Sequence, residues 1–470
     1  MPLVTPVEPV PLDELGRVHF AGIGGAGMSG IARIMLERGV AVSGSDAAAS
    51  PMLDALAELG ADVHVGHSAD HLEKADTLVV SSAIRDDNPE LVEAHRRNLR
   101  VLHRAAALTS VMLGRRVIAV AGTHGKTTTT SMITTVLREV GTDPGYVIGG
   151  VLAETGTGAA DGTGRDFVAE ADESDGSFLM LSPHAAVITN IEADHLDNWG
   201  TPAHYRAAFG AFARRVEPGG LIVLNADDPG TTELAADLRG ASLRVRTYGE
   251  SPDADYQLSD VVQDGMRTQL TVTGNITPFG GIQASLTIGV PGRHNAANAA
   301  AAFSTAVELG IAPQRVATAL GQYRGAARRL EPKGEAAGVR VLDSYAHHPT
   351  ELDADLRAAR GVAGDGKVIA IFQPHLFSRT RIFATELAAA LRLADEVFVL
   401  DIYAAREDPE PGITGALIAD AVPGARFIPA ITALPQLIVA LAAPGDVVLT
   451  MGAGDVTKLG PVLLNALADG

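Results

Sequence analysis

Residues Val117 to Thr130 read VIAVAGTHGKTTTT, an apolar strand that runs into a glycine loop, a lysine and four threonines. Gly125 lets the backbone approach a ligand without a Cβ in the way. Amide N–H groups of the loop and of the following helix start can converge on phosphate oxygens. Lys126 adds a point charge, and the Thr127 hydroxyl is placed to reach a Mg²⁺ ion. The strict phosphate-loop pattern has a glycine five residues before Gly125. Val120 stands there and the glycine is Gly122, so this is a shortened relative of that pattern. An ordinary strand–turn–helix connection would explain the glycines but not the lysine. Only five of the 37 basic residues are Lys, at positions 74, 126, 333, 367 and 458, so Lys126 is not a default cation. The stretch predicts an α/β domain that binds a nucleotide.

Working outward, strand-like runs FVAEAD, AAVITNI and GGLIVLNADD follow the loop and alternate with helical stretches, which predicts a mostly parallel sheet covered on both faces. A β-rich insertion is expected over residues 255–290, then a helix at NAANAAAAFSTAVELG. Before the loop, RVHFAGIG, MSGIARIMLERG and DTLVVSSA give a first α/β segment, and after it VRVLDSY, KVIAIFQP, EVFVLDI and DVVLTMG give a doubly wound third. Residues 325–329 are the expected hinge. The division is 1–114, 115–326 and 327–470.

Bulk properties restrict the function. The 470-residue chain is too long for one core. Its net charge, 37 − 56 = −19, disfavours nonspecific nucleic-acid or anionic-membrane binding. The lack of cysteine removes disulfides, thiolate metal sites and thiol catalysis. Four prolines in the first eleven residues predict an extended arm with no signal pattern, and the cytoplasm is the expected compartment. The most apolar stretch, 431–443, contains Pro435 and reads as a short buried helix and not a membrane span.

Six constellations carry chemistry. Gly22, Gly24 and Gly27 match G-x-G-x-x-G after a strand, with Asp46 19 residues beyond Gly27. That fingerprint fits a dinucleotide, and with it an NAD-dependent dehydrogenase, but also any pyrophosphate such as that of a UDP-sugar. Four acids stand between Glu170 and Asp175. Glu170 is the magnesium candidate, and at least one of Asp172, Glu173 and Asp175 is expected to be merely solvated. His195, in NIEADHLD, is expected at the same sheet edge as Lys126, where a neutral imidazole can ligate a divalent ion. Asn295 either caps the helix after Gly292 or reads an adenine edge. Arg328 and Arg329 can clamp phosphates beside the hinge. Asp343-Ser-Tyr-Ala-His-His and Gln373-Pro-His-Leu-Phe-Ser-Arg-Thr-Arg are expected at two adjacent strand ends, forming a carboxylate or amino-acid pocket.

Taken together, HFAGIGGAGMSGIA, AGTHGKTTTT, AEADESD, NIEADHLD, PGRHNAANAAAA, DSYAHHPTE and FQPHLFSRTR resemble the Mur ligase family, most closely its alanine-adding branch, over residues 19 to about 381. The resemblance implies three domains: a Rossmann-like UDP-binding domain, a central phosphate-loop ATPase and a C-terminal Rossmann-like amino-acid domain. It implies ATP-driven joining of L-alanine to the lactyl carboxylate of UDP-N-acetylmuramate through an acyl phosphate, with two Mg²⁺ ions, by a monomer or homodimer. Carried over by motif, Gly122, Thr123, His124, Gly125, Lys126, Thr127 and Thr128 would bind ATP, with Asn295 on the adenine and Asp343 on the ribose. Arg328 or Arg329 would contact the γ-phosphate. Thr127 and Glu170 would hold one metal ion and His195 the second. Gly22, Gly24, Gly25, Gly27, Ser45, Asp46, Ser81 and Ser82 would bind the UDP-sugar. His347 and Arg379 would place the alanine, with Tyr345 limiting its side chain. Lys126, His195, Arg328 and His347 would form the catalytic set. Two departures stand out. Phe209 occupies the position where some relatives carry a carbamylated, metal-supporting lysine, and Leu376 one where many alanine-adding members carry an arginine. The second leaves Arg379 and Arg381 for the alanine carboxylate. A murein-peptide recycling ligase is the nearest alternative, and a non-catalytic nucleotide sensor a more distant one.

Overall fold

The computed structural model describes residues 4–241, 243–405 and 407–469. Residues 1–3 of the expected arm lie outside them. The chain forms two compact units. The first holds residues 1–259, 272–284 and 298–320, and the second 260–271, 285–297 and 321–470.

In the first unit, five parallel strands lie in the order Asp62–Val65, Val42–Asp46, Val18–Ala21, Thr77–Val80 and Arg100–His103. Chain order reverses beside Val18–Ala21, so a crevice opens at that strand's carboxyl end, where GIGGAG begins. The connecting helices start where local chemistry allows: Ser50 and Asn88 accept backbone N–H bonds at the caps of Pro51–Glu58 and Pro89–Arg96, each with a proline in its first turn.

The second sheet is built around Arg116–Ala121, paired in parallel with Ala185–Ile188 on one side and Asp166–Glu170 on the other. Leu221–Asn225 and Val245–Gly249 extend it in parallel. Tyr256–Asp264, Arg267–Thr277 and Gly280–Ile288 follow, matching the expected β-rich insertion. The inner strands are buried along their whole length, as both-face coverage requires. Phe209 is fully buried and packs edge-on against Phe178 at 5.3 Å and Tyr205 at 5.2 Å. An aromatic cluster therefore occupies the position of the missing lysine.

The second unit holds a six-stranded sheet in the order Glu331–Ala336, Val339–Ser344, Val447–Met451, Val368–Phe372, Glu396–Val399 and Arg426–Phe427. The first pair is antiparallel and the rest parallel. Alternate residues serve opposite faces: Leu342, Ala370 and Phe372 pack with Leu352 and Leu356, while Val341, Ile369 and Ile371 pack with Leu463 and Leu467. The expected adjacency of the Asp343 and Gln373 strand ends is corrected here. Val447–Met451 lies between them, because the chain leaves a gap at the switch point that its last strand fills. The stretch 431–443 forms a 3₁₀ turn, Ile431–Ala433, and a helix, Leu434–Leu441, with Leu434, Pro435 and Ile438 buried. Among the described residues no helix is long and apolar enough to cross a membrane.

Candidate active site

The phosphate loop takes its shape from its neighbours. Gly122 has φ +134° and a Cβ there would collide with Thr189 Oγ1. Gly125, at φ +82°, caps helix Lys126–Glu139, and a Cβ on it would lie 2.6 Å from Asn298 Oδ1. Thr123 Oγ1 donates to Glu192 O at 2.8 Å, accepts from Glu192 N at 3.0 Å and meets Tyr205 Oη at 3.0 Å. His124 N donates to Asn190 Oδ1 at 2.8 Å, and its Nε2 lies 3.0 Å from Glu192 Oε2. The side chains of Thr123 and His124 thus hold the loop against residues 189–192. Thr127 and Thr128 are buried at the helix start.

Lys126 Nζ donates to Gly122 O at 2.6 Å, Thr123 O at 3.0 Å and Glu173 Oε1 at 2.9 Å. Burial pulls its pKa down, but the carboxylates of Glu173, Glu170 and Asp172 outweigh this and hold the amine above its usual value. It stays a cation.

The acidic loop differs from expectation. Glu173 and Asp175 are 1% and 5% exposed, so neither is a solvated acid. The strand end turns them inward, where cations compensate them. Burial pushes the Glu173 carboxyl up to about 7, and its Oε2 has no hydrogen-bond partner among the described residues. Asp172 pairs with Arg104, 2.5 Å away. Against the opposing effect of burial, this guanidinium and the Ser174 hydrogen bonds hold it well below the carboxylate range. Asp175 accepts from Ser82 Oγ at 2.6 Å. Glu170 accepts from Gly149 N at 2.7 Å and Thr127 Oγ1 at 3.1 Å. His195 stands at φ +52° with Nε2 4.0 Å from Glu173 Oε1 and 3.5 Å from Asp194 Oδ2. Lys126, Thr127, Glu170 and His195 are therefore gathered by one sheet edge.

Arg104 and Gly149 were missed in the sequence, and Glu173 was read only among the acids of which at least one was expected to be solvated. A Cβ on Gly149 would sit 2.7 Å from both Glu170 oxygens. A basic residue straight after strand Arg100–His103 was the available signal for Arg104.

In the first sheet's crevice, Gly22 N and Ile23 N donate to Ser45 O at 2.8 and 2.9 Å, and Gly24 N donates to Asp46 Oδ2 at 2.9 Å. A Cβ on Gly24 would lie 2.7 Å from Leu53 Cδ1 and 2.9 Å from Asp46 Oδ2, so those side chains would have to shift. Gly25 caps helix Ala26–Glu37, and a Cβ on Gly27 would lie 3.2 Å from Arg104 Nη1. Ser81 is half-buried, and Ser82 also contacts His103 Nε2 at 3.0 Å. Ser45 is fully buried and its Oγ donates to Glu90 at 2.7 Å.

In the second unit, Asp343 is fully buried, accepting from Thr450 Oγ1 at 2.7 Å and Thr457 Oγ1 at 2.6 Å. Arg328 Nε lies 3.6 Å from it, and the same guanidinium donates to Gly452 O and Gly454 O. Arg328 and Arg329 both stand near the Tyr345 ring, 4.8 and 5.1 Å from its centroid. His347 Nδ1 meets Tyr345 O at 2.9 Å, and its ring is edge-on to His375 at 5.7 Å. Arg379, 8% exposed, brings Nη1 to 3.3 Å from His375 Nδ1, and Tyr403 stacks on His375. Arg381 instead pairs with Glu410 at 3.2 Å on the surface. Leu376 takes φ +68° and is buried where helix Phe377–Leu391 starts. Asn295 is inside helix Arg293–Glu308, not its cap, and its Nδ2 donates to Pro291 O at 2.7 Å.

Three family models match the chain in order: "Mur ligase family, catalytic domain" over residues 17–116, "Mur ligase middle domain" over 120–306 and "Mur ligase, glutamate ligase domain" over 328–454. The chain is 57% identical over 477 residues to the UDP-N-acetylmuramate–L-alanine ligase of Thermobifida fusca, covering 99% of this chain and 100% of the relative. It is 56% identical to the enzyme of the same name from Nocardioides sp., over 99% and 100% of the two chains. Among solved structures it is similar to the UDP-N-acetylmuramate–alanine ligase of Thermotoga maritima, with a TM-score of 0.81, 31% identity and coverage of 96% and 98%. A murein peptide ligase from Psychrobacter arcticus aligns with a TM-score of 0.72 at 26% identity, covering 97% and 99%. The GIGGAG loop, which alone admitted a dehydrogenase, thus lies within a ligase-family match. The chain belongs to the Mur ligase family.

Proposed function

We propose that this chain is an ATP-dependent ligase that joins L-alanine to the lactyl carboxylate of UDP-N-acetylmuramate, in peptidoglycan precursor synthesis. The reading is carried by one arrangement, Lys126 held between its loop carbonyls and Glu173 beside the Thr127–Glu170 pair, in a chain 57% identical to a relative of that name. The family matches support domain joints near 114 and 326.

In the reaction a lactyl carboxylate oxygen bonds to the γ-phosphorus and ADP departs. The alanine amine then attacks the acyl carbon, loses a proton and expels phosphate. Lys126 is placed to exchange its loop carbonyls for β/γ-phosphate oxygens, neutralising charge that builds between two anions. The hydroxyl and carboxylate oxygens of Thr127, Glu170 and the unpartnered Glu173 Oε2 suit Mg²⁺, and His195 adds a donor for a second ion. When bound, the metal supplies charge neutralisation on the phosphates. Asp343 lies 3.6 Å from Arg328 and accepts one hydroxyl on each oxygen, from Thr450 and Thr457, which leaves acceptor sites for a ribose hydroxyl. Tyr345, His347, His375, Arg379 and Tyr403 form the alanine pocket, with Arg379 on the carboxylate. Lys126→Ala should lower substrate-dependent phosphate release by more than about 10²-fold. Near-normal release would refute the assignment.

A further inference from the structure

Below the crevice of the first sheet, the chain gathers a second set of donors that the ligation chemistry does not use. Glu90, near the start of helix Pro89–Arg96, is fully buried. Ser45 Oγ donates to its Oε2 at 2.7 Å, and Ser68 N to its Oε1 at 3.4 Å. Three imidazole nitrogens face the same carboxylate: His71 Nδ1 at 2.8 Å, His67 Nδ1 at 3.2 Å and His19 Nε2 at 3.5 Å. Burial would raise the Glu90 carboxyl, yet the imidazoles and Ser45 hold it down to about 2.

His19 does not fit a purely hydrogen-bonded core. It is fully buried, its Nδ1 is fixed by Ser43 Oγ at 2.9 Å, and its Nε2 makes no well-formed hydrogen bond among the described residues, facing only Glu90 Oε1 at a long 3.5 Å. Leaving such an atom unpaired is costly. Metal-ligating imidazoles are anchored through their other ring nitrogen, as His19 is through Nδ1. The spacing agrees. Donors about 2.0–2.1 Å from a tetrahedral zinc ion stand about 3.3 Å apart, and those of His19, His71 and Glu90 all lie within 4.8 Å of one another. The donors also come from fixed elements: strand Val18–Ala21, turn Ala69–Leu72 and helix Pro89–Arg96. His64 stacks on His71 at 4.2 Å and sets that ring's tilt.

We propose that His19, His71 and Glu90 bind one divalent transition ion of the zinc class, beside His67, whose Nδ1 is held by Ser45 Oγ at 2.8 Å. Imidazole donors select zinc over magnesium, so this site is chemically distinct from the oxygen set at Thr127 and Glu170. Ser45 links it to the glycine loop: its hydroxyl holds Glu90 while its carbonyl accepts from Gly22 and Ile23. Metal at Glu90 would stiffen the floor of the crevice that takes the UDP-sugar. That consequence rests on the proposed function, but metal binding itself does not.

The test uses full-length protein, stripped by chelator and then saturated with Mg²⁺ and ADP so that the phosphate site is filled. Zn²⁺ is titrated by calorimetry, and Co²⁺ by visible absorption, which is intense for four-coordinate cobalt. One tight equivalent is expected. His71→Asn, a change at a partly exposed side chain, should weaken binding by at least about 10-fold and bleach the cobalt band, with circular dichroism unchanged. His19→Gln should abolish binding; if that variant fails to fold, Glu90→Gln replaces it and should also weaken binding. Absence of a stoichiometric Zn²⁺ equivalent, or wild-type binding by His71→Asn, would overturn the proposal.

Discussion

Gly125 separates two costs that the phosphate loop avoids. A Cβ at φ +82° costs roughly 1–2 kcal/mol in the left-handed region. The same Cβ would stand 2.6 Å from Asn298 Oδ1, and crowding of that kind costs roughly 1–3 kcal/mol. Gly125→Ala should therefore destabilise by roughly 2–5 kcal/mol. Asn298→Ala removes the hydrogen bond from Thr129 Oγ1 at 3.2 Å, which is worth about 1 kcal/mol. In the double variant the collision disappears while the dihedral cost and the lost bond remain, so its total should be roughly 2–3 kcal/mol, less than the sum of the singles. Urea unfolding of the four proteins, with and without ADP, measures this. Additive singles would show that Asn298 does not confine the loop, and a Gly125→Ala cost under about 0.5 kcal/mol would refute the strained-loop account altogether.

Other outcomes follow from the same cluster. Glu170→Gln should raise the Mg²⁺ concentration for half-maximal phosphate release by about 10-fold or more, as loss of a hard oxygen ligand requires; an unchanged Mg²⁺ curve would remove Glu170 from the metal set. Burial pushes the Glu173 carboxyl up to about 7 in the folded protein, against 4.5 in the unfolded chain. The folded protein thus binds this proton more tightly, and stability from this group is lost as pH rises from about 4.5 through 7. Glu173→Gln should gain stability relative to wild type between pH 5 and pH 8, by up to roughly 3 kcal/mol, read by denaturation at each pH. A flat difference would mean that Lys126 keeps Glu173 ionised throughout.

Much of the fold could be read from short apolar runs ending in polar or glycine loops, because a strand buried on both faces leaves that signature directly. The strands Arg116–Ala121, Asp166–Glu170 and Ala185–Ile188 were legible for this reason, as was the β-rich insertion. Strand order was not, since register in a parallel sheet depends on crossovers; Val447–Met451, inserted between the Asp343 and Gln373 strands, shows this. At the site, Lys126, Thr127 and Glu170 stood out by residue type and position. Burial did not: nothing local distinguishes Glu173, deep in the protein against Lys126, from a surface acid. At Ser45 and Asp343 residue type alone does not show which partner the side chain takes, because a polar residue at a strand end can face the ligand or support the residue that does. The metal-type cluster at Glu90 was invisible because its donors lie up to 71 positions apart, from His19 to Glu90, and only the folded sheet brings them together.

Phosphate release by the purified protein in a matrix of acceptors tests the central claim most directly. ATP and UDP-N-acetylmuramate would be supplied with L-alanine, glycine, L-serine, a murein tripeptide or no acceptor, and a nicotinamide cofactor with a hydroxy acid would serve as the control. Stoichiometric phosphate release is expected with L-alanine, well above that with the tripeptide, and no nicotinamide turnover. Release that follows the tripeptide, or that ignores both acceptors, would contradict an alanine-adding ligase.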